Sequence, residues 1–215
     1  MPKSGISHDR MTLQASSIGI GTYLGKEDDR TDVLYLDAIT RAVEQGCNVI
    51  DTAINYREMK SERVVGRAVR SLTKKHPEIR EKLIVATKGG FIPGDIESGE
   101  EPSEFFQNRF LKKGILTEED VVQGCHSLKP EFIRSSATLL QTRALDNSKL
   151  FSFQALSNLG NGAARRAIQV VRSLRGVTTS LVGMKTVKHV QDNLHLLKVP
   201  KLEPDEAKRI LGEFF

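Results

Sequence analysis

Apolar residues alternate between two spacings along the first part of the chain, and each change of spacing marks an element. Met11 to Thr22 reads as extended, with Ile18 and Ile20 alternating against Gly19 and Gly21, glycines that let another group approach the backbone. From Thr31 to Gln45 the period lengthens. Val33, Leu36, Ile39 and Val43 recur every three or four residues and predict a helix stopped by Gly46. Cys47 to Asp51 is a short buried strand ending in a charge. Ser61 then predicts the cap of a second helix whose core face is Val65, Ala68, Val69 and Leu72. Pro77 falls in the following loop, and Leu83 to Thr87 is a continuous apolar strand that Lys88 closes. Three strands and two helices, at about 35 residues per unit, predict a parallel α/β sheet or barrel.

Beyond Lys88 the rhythm stops. Residues 91 to 102 are rich in Gly, Pro and Glu and predict a loop. Ser103 to Lys113 predicts a short helix with Phe106 and Phe110 stacked and Gly114 at its end. Thr117 to Asp120 resembles a capping box opening another helix, and Pro130 stands at the first turn of a third. The next strand pattern is Thr178 to Val182, so roughly 90 residues separate it from its predecessor, room for two or three βα units of a regular barrel. Thr186 predicts the cap of a helix through Leu197, and Pro204 opens a final one with acidic residues in its first turn. The insertion from Phe91 to Gln123 is either a lid over the barrel mouth or a surface excursion.

Composition narrows the function. Two hundred and fifteen residues, 39% hydrophobic and 27% charged, suit one globular domain spanning 1–215. The net charge of +5 is scattered over pairs such as Lys74-Lys75, Lys112-Lys113 and Arg165-Arg166, which read as solvated faces. No nucleic-acid motif accompanies them. No apolar run reaches the roughly 18 residues of a membrane span, and Met1 to Thr12 lacks a signal-peptide core. Cys47 and Cys125 have no metal-ligand spacing and read as thiols in a reducing cytoplasm. Nor do the five dispersed histidines form a metal set.

Two constellations carry chemistry. Asp51, Tyr56 and Lys88 follow two successive strands. An ammonium held by a carboxylate can stabilise a phenolate, which makes a tyrosine a usable proton donor to a carbonyl. Alone, each residue has an ordinary structural role; their placement together at strand ends is what points to catalysis. The second constellation is Gly183, Lys185 and the helix start at Thr186. Free backbone N–H groups and the helix dipole could hold an anion there, or the segment is simply a capped helix with polar groups in solvent.

In order along the chain, these segments resemble the aldo-keto reductases, NADP-dependent oxidoreductases built on a (β/α)8 TIM barrel. The matching residues are Gly21-Thr22-Tyr23, Asp51-Thr52-Ala53 with Tyr56, Thr87-Lys88, the helix His126 to Ile133, Leu139 to Arg143, and Gly183 to Asn193. The resemblance implies Tyr56 as proton donor, Lys88 as its tuning partner and Asp51 as the anchor of Lys88. It implies Gly21, Thr22 and Tyr23 beside nicotinamide and substrate. Leu139 and Gln141 would lie by the pyrophosphate, and Gly183, Lys185, His189, Asp192 and Asn193 by the adenosine phosphates and adenine. His189 stands where many members have arginine and Thr186 where they have serine, which leaves NAD open beside NADP. The implied substrate is a small-molecule aldehyde or ketone.

The same resemblance marks a gap. The family's histidine after the fourth strand has no counterpart, since His126 belongs to the helix before that strand. The polar residues that grip the carboxamide and the aromatic that stacks on nicotinamide are also missing. Strands one to three and eight are recognisable, strands four to seven are not, and the junction falls near 135 to 138. An omitted segment, an internal deletion or a compact fragment with a reworked middle would each produce it. Unpaired sheet edges would then favour self-association. The alternative to an active reductase is an impaired barrel remnant that binds nucleotide or serves as an interaction module.

Overall fold

The computed structural model describes residues 14–139 and 161–212. Strand β1 (Ile18–Gly21) leads into helix α1 (Asp29–Glu44), β2 (Val49–Asp51), α2 (Lys60–Lys75), the one-turn α3 (Ile79–Lys82) and β3 (Ile84–Ala86). Next come α4 (Pro102–Phe106), α5 (Pro130–Leu139), α6 (Asn161–Ser173), β4 (Ser180–Gly183), α7 (Val187–Leu194) and α8 (Pro204–Gly212). All strand pairs are parallel, in the order β3-β2-β1-β4, so the last strand lies beside the first. Among the described residues the sheet is open, which matches a barrel of this type with its middle strands missing. Positions 135 to 138 lie within α5.

The main core is where the helices cover the sheet. Ile18, Ile20, Ile50, Val85 and Val182 point from the strands into a cluster with Tyr35, Ile39, Val64, Val65 and Ala68. Parallel strands need such cover, which explains their near-continuous apolar runs. The α2 face predicted from Val65, Ala68, Val69 and Leu72 is buried as expected. The α1 face is rotated. Tyr35, Ala38, Ile39 and Ala42 are inside, whereas Val33 is 59% exposed.

Other expectations needed correction. Helix α2 is entered from Met59 in left-handed conformation with no side-chain cap, because the Ser61 hydroxyl is taken up by the carbonyl of Thr22 at 2.7 Å. The capping box at Thr117 is real but closes a single 3-10 turn, Glu118–Asp120. His126 precedes α5 rather than lying on it, bridging backbone to Phe91 and Val122. The basic pairs named above are exposed as solvated faces, and Cys47 is the buried thiol expected, its pKa raised by burial. Among the described residues, no helix is long and apolar enough to cross a membrane.

The insertion after β3 builds a second core. Phe105, Phe110, Leu116 and Phe132 pack with Ile54 and Met59, which flank Tyr56 in sequence. Phe110 meets Phe105 and Phe132 edge-on, at centroid distances of 6.1 and 5.1 Å. The segment is therefore a buttress for the β2–α2 loop.

Candidate active site

Register places the site. Gly183, Gly21, Asp51 and Ala86 form one row across the C-terminal ends of the four strands. Beyond that row the chains stay tied, with Thr22 N–H donating to Asp51 O at 3.1 Å and Thr52 N–H to Ala86 O at 2.9 Å. This is the end of a parallel sheet at which barrel enzymes carry their reactive groups.

Lys88, two residues past Ala86, is the hub. Its Nζ donates to both Asp51 carboxylate oxygens at 2.8 Å, to Thr52 O at 3.0 Å and to the Tyr56 hydroxyl at 3.1 Å. The predicted trio is thus brought into direct contact. Burial raises the Asp51 pKa, and hydrogen bonding and charge from Lys88 oppose that rise. Tyr23 stands edge-on to Tyr56, with ring centroids 5.0 Å apart, and is 60% exposed, so one wall of the site is an open aromatic.

Thr22 is fully buried, and its hydroxyl donates to Asp51 O at 3.0 Å. It braces the strand ends from within, and its hydroxyl is already committed to that bond.

The loop after Ala53 is unusual. Arg57, Glu58 and Met59 have φ of 52°, 48° and 68°, three successive left-handed residues without a glycine. Such backbone costs roughly 1–2 kcal/mol per residue and persists only where surroundings enforce it. The buried Arg57 side chain supplies part of that enforcement. Its Nε donates to Lys26 O at 2.8 Å, and its Nη2 to Asp28 O at 3.2 Å and Asp32 Oδ1 at 2.7 Å. Asp32 also pairs with Arg67 at 2.6 Å and Lys60 at 3.5 Å. Sequence reading missed this cluster, since isolated charges on helices look like solvated faces. The run Arg57-Glu58-Met59-Lys60, bulky and without a glycine where a turn had to form, was the available signal.

Glu62 was also missed. It is buried on α2, accepts the Thr87 hydroxyl, and desolvation raises its pKa to about 7 against the pull of Arg63 and Lys88.

The residues predicted to bind phosphate lie at the β4 edge of the same row of strand ends. Gly183 ends β4, Lys185 follows it, and the Thr186 side chain accepts from His189 N at 3.3 Å to cap α7. His189 is exposed, whereas Lys185, Asp192 and Asn193 are half-buried. The β1–α1 loop reaches this edge too. A Cβ on Gly183 would come within 2.7 Å of Leu24, and one on Gly25 within 3.2 Å of Lys185. Between β3 and β4 lie three strand spacings, about 14 Å. Leu139 falls at the end of α5, where its side chain is outside the described set, and Gln141 lies outside the described residues.

A cleft of about 370 Å³ lined by Ser16, Cys47, Asn48 and Leu83 lies at the N-terminal ends of the strands. In barrels that end serves stability rather than chemistry.

The aldo/keto reductase family model matches residues 17–137, a span holding Gly21 to Tyr23, Asp51, Tyr56 and Lys88 but not Gly183 to Asn193. Among curated proteins, aldo-keto reductase YhdN of Bacillus subtilis (strain 168) is 36% identical over 85 residues. That match covers 40% of this chain and 23% of the relative, under a quarter of its length. Among solved structures, an aldo/keto reductase from Klebsiella pneumoniae in complex with NADP and acetate is 19% identical, with a TM-score of 0.48 and 91% of each chain covered. A second, from the same organism in complex with NADPH, is 20% identical with a TM-score of 0.48, covering 91% of this chain and 89% of that one.

Proposed function

Because the chain belongs to the aldo/keto reductase family, we propose that it reduces a small aldehyde or ketone to an alcohol, with NADPH or NADH as hydride source. The observation that carries this reading is the Lys88 ammonium in contact with both Asp51 and Tyr56. When bound, the reduced nicotinamide supplies a hydride to the carbonyl carbon. Tyr56 gives its hydroxyl proton to the carbonyl oxygen, so the products are alcohol and oxidised cofactor. The phenolate left behind is stabilised by Lys88 until solvent returns the proton. Asp51 holds the Lys88 ammonium aimed at the Tyr56 hydroxyl.

The glycine row supports an elongated ligand. Gly21 and Gly183 adjoin in register between the reactive trio and Lys185; neither adds a side chain of its own, and Leu24 packs over Gly183. A small carbonyl compound could not span about 14 Å, whereas a dinucleotide with anionic phosphates could. The donor set at its far end, an ammonium beside a helix N-terminus, has the chemistry of a phosphate site. Lys185, His189, Asp192 and Asn193 would hold the nucleotide end, and Gly21 and Tyr23 the nicotinamide end. Free Cys47 and Cys125 thiols fit a reducing compartment such as the cytoplasm.

One observation favours a second reading, a remnant that binds nucleotide without turning it over: the sheet is open, with four strands, among the described residues. The family match ends at residue 137, within the expected junction, which supports missing middle strands. Cofactor fluorescence titration and a turnover assay with aldehydes and ketones separate the two. Under the reductase reading the 215-residue chain oxidises NADPH when a carbonyl is added, and Tyr56→Phe abolishes turnover while sparing cofactor binding. Binding without turnover in the parent chain supports the remnant, and unchanged turnover in Tyr56→Phe removes the tyrosine from its role.

A further inference from the structure

We infer that Arg57 is a positioning residue: its buried guanidinium locks the loop bearing Tyr56 to the loop bearing Tyr23 and so fixes both aromatic rings at Lys88. The inference rests on the reductase reading only for its kinetic consequence. Arg57 directly follows Tyr56, and its side chain turns away from the site into the gap between the β1–α1 loop and α1. There it bonds the carbonyls of Lys26 and Asp28 and the carboxylate of Asp32. The loop whose carbonyls it holds carries Tyr23, whose ring meets that of Tyr56 at 5.0 Å. One planar fork therefore ties two consecutive βα loops, a geometry lysine cannot reproduce.

Backbone conformation supports the assignment. Left to local preference, Arg57, Glu58 and Met59 would not all take positive φ. Two anchors hold them there: Arg57 on one side and Met59, sunk in the Phe105–Phe110–Phe132 cluster, on the other. Tyr56 sits between these anchors and Ile54, so releasing one frees the phenol to swing off the Lys88 ammonium. Removal of Arg57 does not strand Asp32, which keeps Arg67 at 2.6 Å and Lys60 at 3.5 Å. The consequence of losing Arg57 is thus concentrated on the loops.

The chain has three tyrosines and no tryptophan, so fluorotyrosine labelling yields three 19F resonances, assigned by single Tyr→Phe changes. Arg57→Gly relieves the positive φ and deletes the clamp, and Arg57→Lys keeps the charge but not the fork. In folded Arg57→Gly we expect the Tyr56 and Tyr23 resonances to move or broaden beyond their line widths. Arg57→Lys should show a smaller change. Tyr35, whose ring lies 5.5 Å from the guanidinium, serves as the internal reporter that the cation has gone. Turnover should fall about 10²-fold in kcat with little change in KM, the scale of a misplacement near 1 Å. Unmoved Tyr23 and Tyr56 resonances in a folded variant overturn the inference, as does failure of both variants to fold, which would make Arg57 a scaffold residue. The resonances need no turnover, so an inactive parent chain counts against the reductase reading while the Arg57 result is read from the spectrum.

Discussion

Glu62 accepts the hydroxyl hydrogen of Thr87, the residue immediately before Lys88, so a buried carboxyl lies one residue behind the ammonium of the site. Desolvation lifts its pKa from 4.5 to about 7. A carboxyl with a raised folded-state pKa binds its proton more tightly when folded. Its contribution to stability is therefore full below about 4.5 and is lost as pH rises through about 7. The Asp51 carboxyl, also raised, acts in the same direction. Glu62→Gln removes only the first contribution and can still accept from Thr87. Urea denaturation at pH 5 and pH 8 should show the parent losing roughly 1–3 kcal/mol more than the variant across that interval. Equal losses would mean that Glu62 is not held neutral by burial.

Two glycines of β1 separate packing from function. A Cβ on Gly19 would stand 2.8 Å from Leu181 Cδ2 and 3.1 Å from both Thr179 and Val49 side-chain carbons. A Cβ on Gly21 would meet nothing closer than 3.6 Å. Gly19→Ala should cost about 1–3 kcal/mol of stability through overpacking. Gly21→Ala should leave the melt nearly unchanged yet weaken cofactor binding, because a methyl then projects from the strand-end row. Thermal melts and fluorescence titration of both variants check this; equal melts would show that the crowding at Gly19 is relieved by movement of Leu181.

The trio was legible because two apolar runs end in charged residues, and parallel strands align their ends in space. Asp51 and Lys88 needed only correct strand boundaries to be paired. The phase of α1 was harder. Val33 fits the apolar period, but Tyr35 carries more buried surface and its hydroxyl bonds Leu24 O at 2.6 Å, so the helix turns to bury it. Ser61 looked like a cap because caps are read from residue type, whereas its hydroxyl answers a carbonyl 39 residues earlier. Arg57 and Asp32 were invisible for the same reason. Their burial depends on which loops the sheet order brings together, and neither charge has a partner within one helical turn of sequence.

The second core tests whether the insertion after β3 is integral. Phe110 is fully buried between Phe105 and Phe132, on the same cluster as Ile54 and Met59. Phe110→Ala should lower stability by about 3–5 kcal/mol if the segment unfolds together with the sheet. Because Met59 is one of the two anchors of the Tyr56 loop, the same variant should also reduce turnover at temperatures where it stays folded. A calorimetric scan with one transition of lower midpoint fits this expectation; two transitions, with the sheet melting as in the parent, would make the insertion an independent unit.

The last test concerns charge at the site itself. Lys88→Met takes the ammonium from Asp51, Thr52 O and Tyr56 at once and leaves a buried carboxylate with no cation, at a cost of about 1–3 kcal/mol in stability. Its turnover should be lost. Asp51→Asn keeps an acceptor for Lys88 in place but removes the anchoring charge, so its stability should fall less and its kcat should drop while some activity survives. The double variant decides the coupling. With Lys88 already gone, Asp51→Asn removes an unpaired buried charge and should restore stability relative to Lys88→Met alone. Additive losses in the double-mutant cycle would mean that the 2.8 Å contact carries no energetic linkage, and the proton-donor role of Tyr56 would then need another source of phenolate stabilisation.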